Sequence, residues 1–246
     1  NFYSVTKFHS DEEKLNVTIG DCELSEKHLK GECFVSEEDA LEHIEYMCDA
    51  GHMSWQLKLN KKIAYNVGYG ASKLLRKINA FEMFWHAEGI KTEYEGIVEC
   101  DGVTYEVIPE KSYGYADKNW GSDFTSPWLW ISSCHMKSLL NDRILENSAV
   151  EFGGGKPKIF GKALERKLLG GLYYEGKMYD FNFSKFWNRV SIDFEFIEGE
   201  KINTWKLKAE NRTAVLNLTL DCPVDEMLFI NYEAPNGSKK HNRLWN

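Results

Sequence analysis

The chain has 246 residues, a formal net charge of -8 and a pI near 5.5, with 43% hydrophobic and 28% charged residues. That length buries one large core or two small ones, and the composition is that of a folded chain rather than a disordered one. The acidic balance excludes a general grip on nucleic acid, which needs a basic surface.

Taken in order, residues 2–8 read as a strand. Ser36, followed by Glu37, Glu38 and Asp39, reads as an N-cap with an acidic first turn, which the helix dipole favours. Leu41, Ile44 and Met47 then recur at helical spacing, and this helix is expected to end near Gly51. Residues 71–78 allow one more short helical turn. From residue 90 onward a period of two dominates. Ile90, Thr92, Tyr94, Val98 and Cys100 alternate with Lys91, Glu93, Glu95 and Glu99. The same pattern returns in Ile192, Phe194 and Phe196, in Trp205, Leu207 and Ala209, and in Leu216, Leu218 and Leu220. Asp101-Gly102 and Glu175-Gly176 separate such runs and favour the primed turns that antiparallel hairpins require. The expected class is therefore all-β, with antiparallel strands in barrels or sandwiches and one or two short helices. Two β halves, 1–108 and 109–246, are expected to join in the loop after Ile108.

Six scattered cysteines form no CxxC pair and suit reduced thiols in a cytoplasmic protein. No signal peptide and no apolar run of membrane-spanning length is present, so the expected location is the cytoplasm. The sequence opens without Met, which leaves room for a natural segment ahead of it. No HExxH, paired CxxC or GxSxG motif occurs, and no metal or cofactor is implied. Gly153-Gly154-Gly155 lacks the context of a phosphate loop, and a hinge or bulge accounts for it.

The densest stretch runs from Ser112 through Asp117-Lys118-Asn119-Trp120-Gly121 to Ser126-Pro127-Trp128-Leu129-Trp130. It reads as a loop leading into a strand. Period two puts Trp128, Trp130 and Ser132 on one strand face and Leu129, Ile131 and Ser133 on the other. Two readings stay open: the tryptophans line an apolar ligand site, or they fill a core.

The order of a Ser-Tyr turn, Lys118-Asn119-Trp120-Gly121 and the Trp128-Leu129-Trp130 strand resembles the signature region of tocopherol cyclases. Phe81-Glu82-Met83-Phe84-Trp85-His86, Gly153-Gly154-Gly155 and Tyr174-Glu175-Gly176-Lys177-Met178-Tyr179 are similar as well, in collinear order. The family's N-terminal segment with a Gly-Trp-Tyr-Phe-like strand does not occur here. The resemblance implies two lipocalin-like β-barrels and ring closure of a prenylated hydroquinone to a chromanol. It is shared more distantly with carotenoid hydratases, whose Asp-x-x-Trp-Gly pattern fits residues 117–121.

Ring closure of this kind needs an acid to protonate a tail alkene, aromatic faces to stabilise the tertiary cation, and a dry pocket. Asp117 is the first choice for the acid, against a plain Asx-turn role. Asn119 would orient the phenol or the acid, against a role in loop structure. Trp120, Trp128 and Trp130 would shape the pocket, with Trp85, His86 and Tyr113 as further substrate contacts; each also has a packing reading. The expected partner is an apolar small molecule, with no nucleic acid and a transient membrane surface as a further option; the sequence does not specify an oligomeric state. Beside the cyclase or hydratase reading stand a non-catalytic carrier of an apolar ligand and a β protein filled by its own side chains.

Overall fold

The structure is a computed structural model and describes residues 18–19, 23–24, 27–42, 50–64, 77–78, 80–121, 128–183, 186–233 and 239–244. In chain order its strands begin with β1 (Thr18–Ile19), β2 (Glu23–Leu24), β3 (His28–Val35), β4 (Gly51–Ile63), β5 (Met83–Cys100), β6 (Val103–Val107) and β7 (Tyr113–Gly121). These pair in the order β1-β3-β4-β5-β6, with β2 also on β3 and β7 also on β5. Next come β8 (Trp128–Ser133), β9 (Ser148–Gly155), β10 (Lys158–Ile159), β11 (Lys162–Ala163), β12 (Lys167–Tyr174) and β13 (Lys177–Asp180). β13-β12-β9-β8 form one sheet and β10-β11 a small hairpin. A three-stranded sheet of β14 (Ser191–Ile197), β15 (Ile202–Glu210) and β16 (Val215–Pro223) follows, then the pair β17 (Leu228–Glu233) and β18 (Lys239–Leu244). Among the described residues α-helix occurs in α1 (Glu37–Glu42), which starts behind Ser36 as its acidic first turn predicts, and at Lys77, within the stretch where a further helical turn is expected. Residues 2–8, 43–49 and 71–76, where a strand and further helix are expected, lie outside the described residues.

The chain is thus nearly all β and antiparallel. Both expected hairpins form. Cys100 faces Val103 across Asp101-Gly102, and Tyr174 faces Lys177 across Glu175-Gly176. In each turn both central residues have positive φ, 49° and 78° in the first and 44° and 91° in the second. This primed geometry matches the twist of the flanking strands. The described sheets are open ladders, and no ring of strands closes among the described residues.

Two expectations are corrected. Residues 113–121 do not form a loop but strand β7, because their backbone pairs with β5. Gly153-Gly154-Gly155 is neither hinge nor bulge but the end of β9, hydrogen-bonded on both edges, to β8 and to β12. Backbone pairing is set by neighbours distant in sequence, so local composition misreads both segments.

The chain divides into two compact units whose segments alternate along the sequence. One contains residues 1–61, 92–114 and 230–242; the other contains 62–91, 115–229 and 243–246. The second unit has a layered core. Leu207 of β15 lies opposite Phe194 on one side and Leu218 on the other, so the alternating apolar residues of three strands share a face. That face packs with Ile131, Val150, Phe152, Leu168 and Phe181 of the β8–β13 sheet and its exit. Lys206, Lys208 and Glu210 point to water. No helix among the described residues is long and apolar enough to cross a membrane.

Phe152 is fully buried in this core, with its ring centroid 5.9 Å from that of Phe181. Phe152→Ala is expected to lower stability by about 3–5 kcal/mol through lost burial and a residual cavity. Urea denaturation checks this as a lower midpoint at unchanged slope.

Candidate functional site

β9 is an inner strand of the β13-β12-β9-β8 sheet, and seven of its eight residues are buried. A strand covered on both faces ordinarily carries apolar or small side chains throughout. The sequence Ser148-Ala149-Val150-Glu151-Phe152-Gly153-Gly154-Gly155 obeys this except at its fourth position. There a carboxylate sits with no exposed surface.

The register explains where Glu151 points. Ser132 lies opposite it on β8 and Gly171 on β12, while Trp130 and Leu169 lie opposite Gly153. Period two therefore gathers Trp130, Ser132, Glu151 and Gly153 on one face, with Phe152 and Ile131 on the other. The Glu151 face meets a second apolar cluster of Ile63, Ala87, Ile90 and Ala149, bordered by Trp85, Cys134, Leu169 and Tyr173.

Two indole–carboxylate pairs define the site. The Trp130 Nε1–H donates to Glu151 Oε1 at 2.6 Å. The Trp85 Nε1–H donates to Asp117 Oδ2 at 2.9 Å. Tyr115 lies against Trp130, with ring centroids 4.9 Å apart and a 40° tilt. Gly153 makes room for Trp85: a methyl there would sit 2.8 Å from the indole ring. Its lack of a side chain lets the indole lie directly over the strand.

The two carboxylates live in opposite environments. Asp117 is exposed, on the strand face it shares with Tyr115. Glu151 is buried, and burial pushes its carboxyl from the ordinary 4.5 up to about 7. Hydrogen bonds from Ser132 and Trp130 pull it down, and the nearby Asp117 charge adds to the rise. Oε1 is held by the Trp130 indole, whereas Oε2 is buried without a hydrogen-bond partner among the described residues. The proton of the neutral acid therefore belongs on Oε2. Burial also pushes the Cys134 thiol up, which disfavours a thiolate nucleophile beside this acid. Among the described residues no cluster of His, Cys, Asp or Glu is arranged to hold a metal ion.

Of the residues expected at the site, Trp85, Asp117 and Trp130 are brought into these two pairs. Trp128 stands on the same face as Trp130, opposite Gly155. Tyr113 is exposed and belongs to the first unit. The side chains of His86, Asn119 and Trp120 lie outside the described residues. Glu151 was not among the expected residues. Its signal was available as a single charge inside an otherwise uncharged run from Asn147 to Gly155.

The family model described as tocopherol cyclase-like matches residues 32–238. The chain belongs to the tocopherol cyclase-like family. It is 32% identical over 142 residues to a protein named probable tocopherol cyclase, chloroplastic, from Oryza sativa subsp. japonica, covering 56% of this chain and 27% of that relative. It is 31% identical over 142 residues to tocopherol cyclase, chloroplastic, from Zea mays, covering 56% of this chain and 26% of the relative. The match thus spans about a quarter of the length of these curated relatives. No solved structure matches this tocopherol cyclase-like chain.

Because folding raises the Glu151 pKa, the folded state holds that proton more tightly than the unfolded state. The group's contribution is fully present below about pH 4.5 and is lost as the pH climbs to about 7. Glu151→Gln is expected to be more stable than the parent at about pH 8, by at most on the order of 3 kcal/mol, with the difference gone at about pH 4. Thermal melts at the two pH values check this. A gain that is the same at both would contradict a buried titrating acid.

Proposed function

We propose that this chain is a cofactor-independent cyclase or hydratase of an isoprenoid-like substrate, with Glu151 as its general acid. The observation that carries the reading is a fully buried carboxyl, raised to about 7, whose Oε2 has no hydrogen-bond partner among the described residues and whose surroundings are aromatic. Membership of the tocopherol cyclase-like family supports the substrate class, a prenylated phenol or quinol. The finer architecture implied by the family, two lipocalin-like barrels enclosing an apolar ligand, is part of the same proposal.

The chemistry balances as an isomerisation. Glu151 delivers the Oε2 proton to the less substituted carbon of a tail alkene, leaving a tertiary cation. The indole and phenol faces of Trp130, Trp85 and Tyr115 stabilise that cation without capturing it. The phenol oxygen of the substrate then bonds to the cationic carbon, and its proton returns to the carboxylate. If water attacks instead, the product is the hydrated alkene. The nearby Asp117 charge, which already acts on Glu151, stabilises positive charge that develops beside it. Substrate reaches Oε2 after a covering side chain moves. Trp130 is 41% exposed and, among the described residues, is held by an indole hydrogen bond and a ring contact, so it is the natural cover.

A prenylated hydroquinone with a trisubstituted tail alkene is the test substrate, with chromanol formation followed by mass spectrometry and chromatography. Glu151→Gln is expected to lower kcat by about 10²–10⁴-fold, the ordinary worth of a general acid. Asp117→Asn is expected to cost less. The reverse order would make Asp117 the acid. A ligand that co-purifies unchanged with the parent and with Glu151→Gln would point to a carrier.

The rate should also fall as the pH rises through about 7, where Glu151 loses its proton. Trp130→Phe removes a hydrogen bond that favours the charged form, so the alkaline limb of the profile should move to higher pH. A limb that stays in place would exclude Glu151 as the group that titrates.

A further inference from the structure

The chain as a whole is acidic, but the connection from β9 to β12 is not. Lys156, Lys158, Lys162, Arg166 and Lys167 face a single carboxylate, Glu165, within it. The β10–β11 hairpin lies within this connection and turns at Phe160 and Gly161. Phe160 has φ 48° and is 69% exposed. Left-handed backbone favours Gly or Asn and disfavours a bulky side chain, and an exposed phenyl ring is a second burden. The frame of the hairpin asks for neither. The Phe160 N–H donates to the Ala80 carbonyl at 3.0 Å, the Leu164 N–H to the Pro157 carbonyl at 2.8 Å, and Phe81 bridges to Ile159. These are backbone bonds, and any non-proline residue at position 160 supplies the same N–H.

The charges divide into engaged and outward-facing. Lys158 pairs with Glu82 at 3.0 Å, and Arg166 lies 4.2 Å from the Phe194 ring centroid. Lys156, Lys162 and Lys167 are exposed. An exposed aromatic with left-handed backbone at a hairpin turn, with three exposed lysines in the same connection, matches the interface of an anionic bilayer. Aromatic rings settle at headgroup level, and lysines gain from the negative surface potential. A protein partner would need a complementary pocket for the same tip, whereas a bilayer needs none.

We propose that this hairpin is a peripheral membrane anchor, in which Phe160 inserts among the headgroups of an anionic bilayer while Lys156, Lys162 and Lys167 contact lipid phosphates. The charge pattern also selects the end of the sheet. Successive antiparallel connections leave from opposite ends, so the β8–β9 loop lies away from this hairpin. That loop exposes Leu139 and Leu140 at 95% and 98%. Its cations are neutralised locally, Lys137 by Asp142 at 2.9 Å and Arg143 by Glu175 at 3.0 Å. The anchor stands on its own observations and does not depend on Glu151 acting as an acid.

The test is flotation of the purified chain with vesicles of phosphatidylcholine alone or with roughly one-third phosphatidylglycerol, at low and high salt. Binding is expected on the anionic vesicles and should be released by salt. Phe160→Asn should weaken binding about tenfold while keeping or raising the melting temperature, because Asn tolerates the left-handed backbone. Lys156→Gln and Lys162→Gln should each weaken it about fivefold. The Leu139→Ser/Leu140→Ser double variant should bind like the parent. No preference for anionic vesicles, an undiminished Phe160→Asn, or loss of binding in the leucine variant would each overturn the anchor.

Discussion

The candidate site depends on one costly arrangement, the burial of the Glu151 carboxyl in an inner strand of its sheet. Ionised, that group would need several strong donors in so dry a place. It receives one short indole hydrogen bond and the help of Ser132, and among the described residues its second oxygen has no hydrogen-bond partner. The imbalance appears as a raised pKa. It is maintained because β9 is paired on both edges and covered on both faces, so water cannot reach the carboxyl without a rearrangement of its cover.

The neighbours follow from this constraint. Trp130 stands across from Gly153 rather than from Glu151, which gives its indole the diagonal reach to Oε1. Gly153 in turn admits the Trp85 ring, and Trp85 hands its N–H to Asp117. Two tryptophans thus serve two carboxylates of contrasting exposure. Burial raises the pKa of one of them, Glu151, while Asp117 stays exposed.

Much of the fold was legible in the chain. The alternation around Leu207 and Leu218 and the turns at Asp101-Gly102 and Glu175-Gly176 report local backbone preference and one-sided burial, which sequence carries directly. Part of the site was legible too. Trp85, Asp117 and Trp130 stand in motifs that resemble those of the family, and the structure joins each of them to a polar partner. Strand β7 was less legible, because Asp, Asn and Gly within residues 113–121 are ordinary loop residues and only pairing with β5 makes them a strand. Glu151 was the harder case. A single Glu in a short apolar run has the same local appearance whether it faces water at a sheet edge or is enclosed at its centre.

The sequence by itself determined the antiparallel β class, the hairpin turns and the family, because each rests on residue type at fixed spacing. Tertiary structure alone decided which carboxylate is dry. Exposure depends on what covers a strand, and the Glu151 face of β9 packs, through Ala149, with residues from strands far apart in the chain, Ile63 from β4 and Ala87 and Ile90 from β5, while Trp130 of β8 bonds the carboxyl itself. Those contacts turn a solvated glutamate into an acid poised near neutrality, and no spacing rule along β9 encodes them.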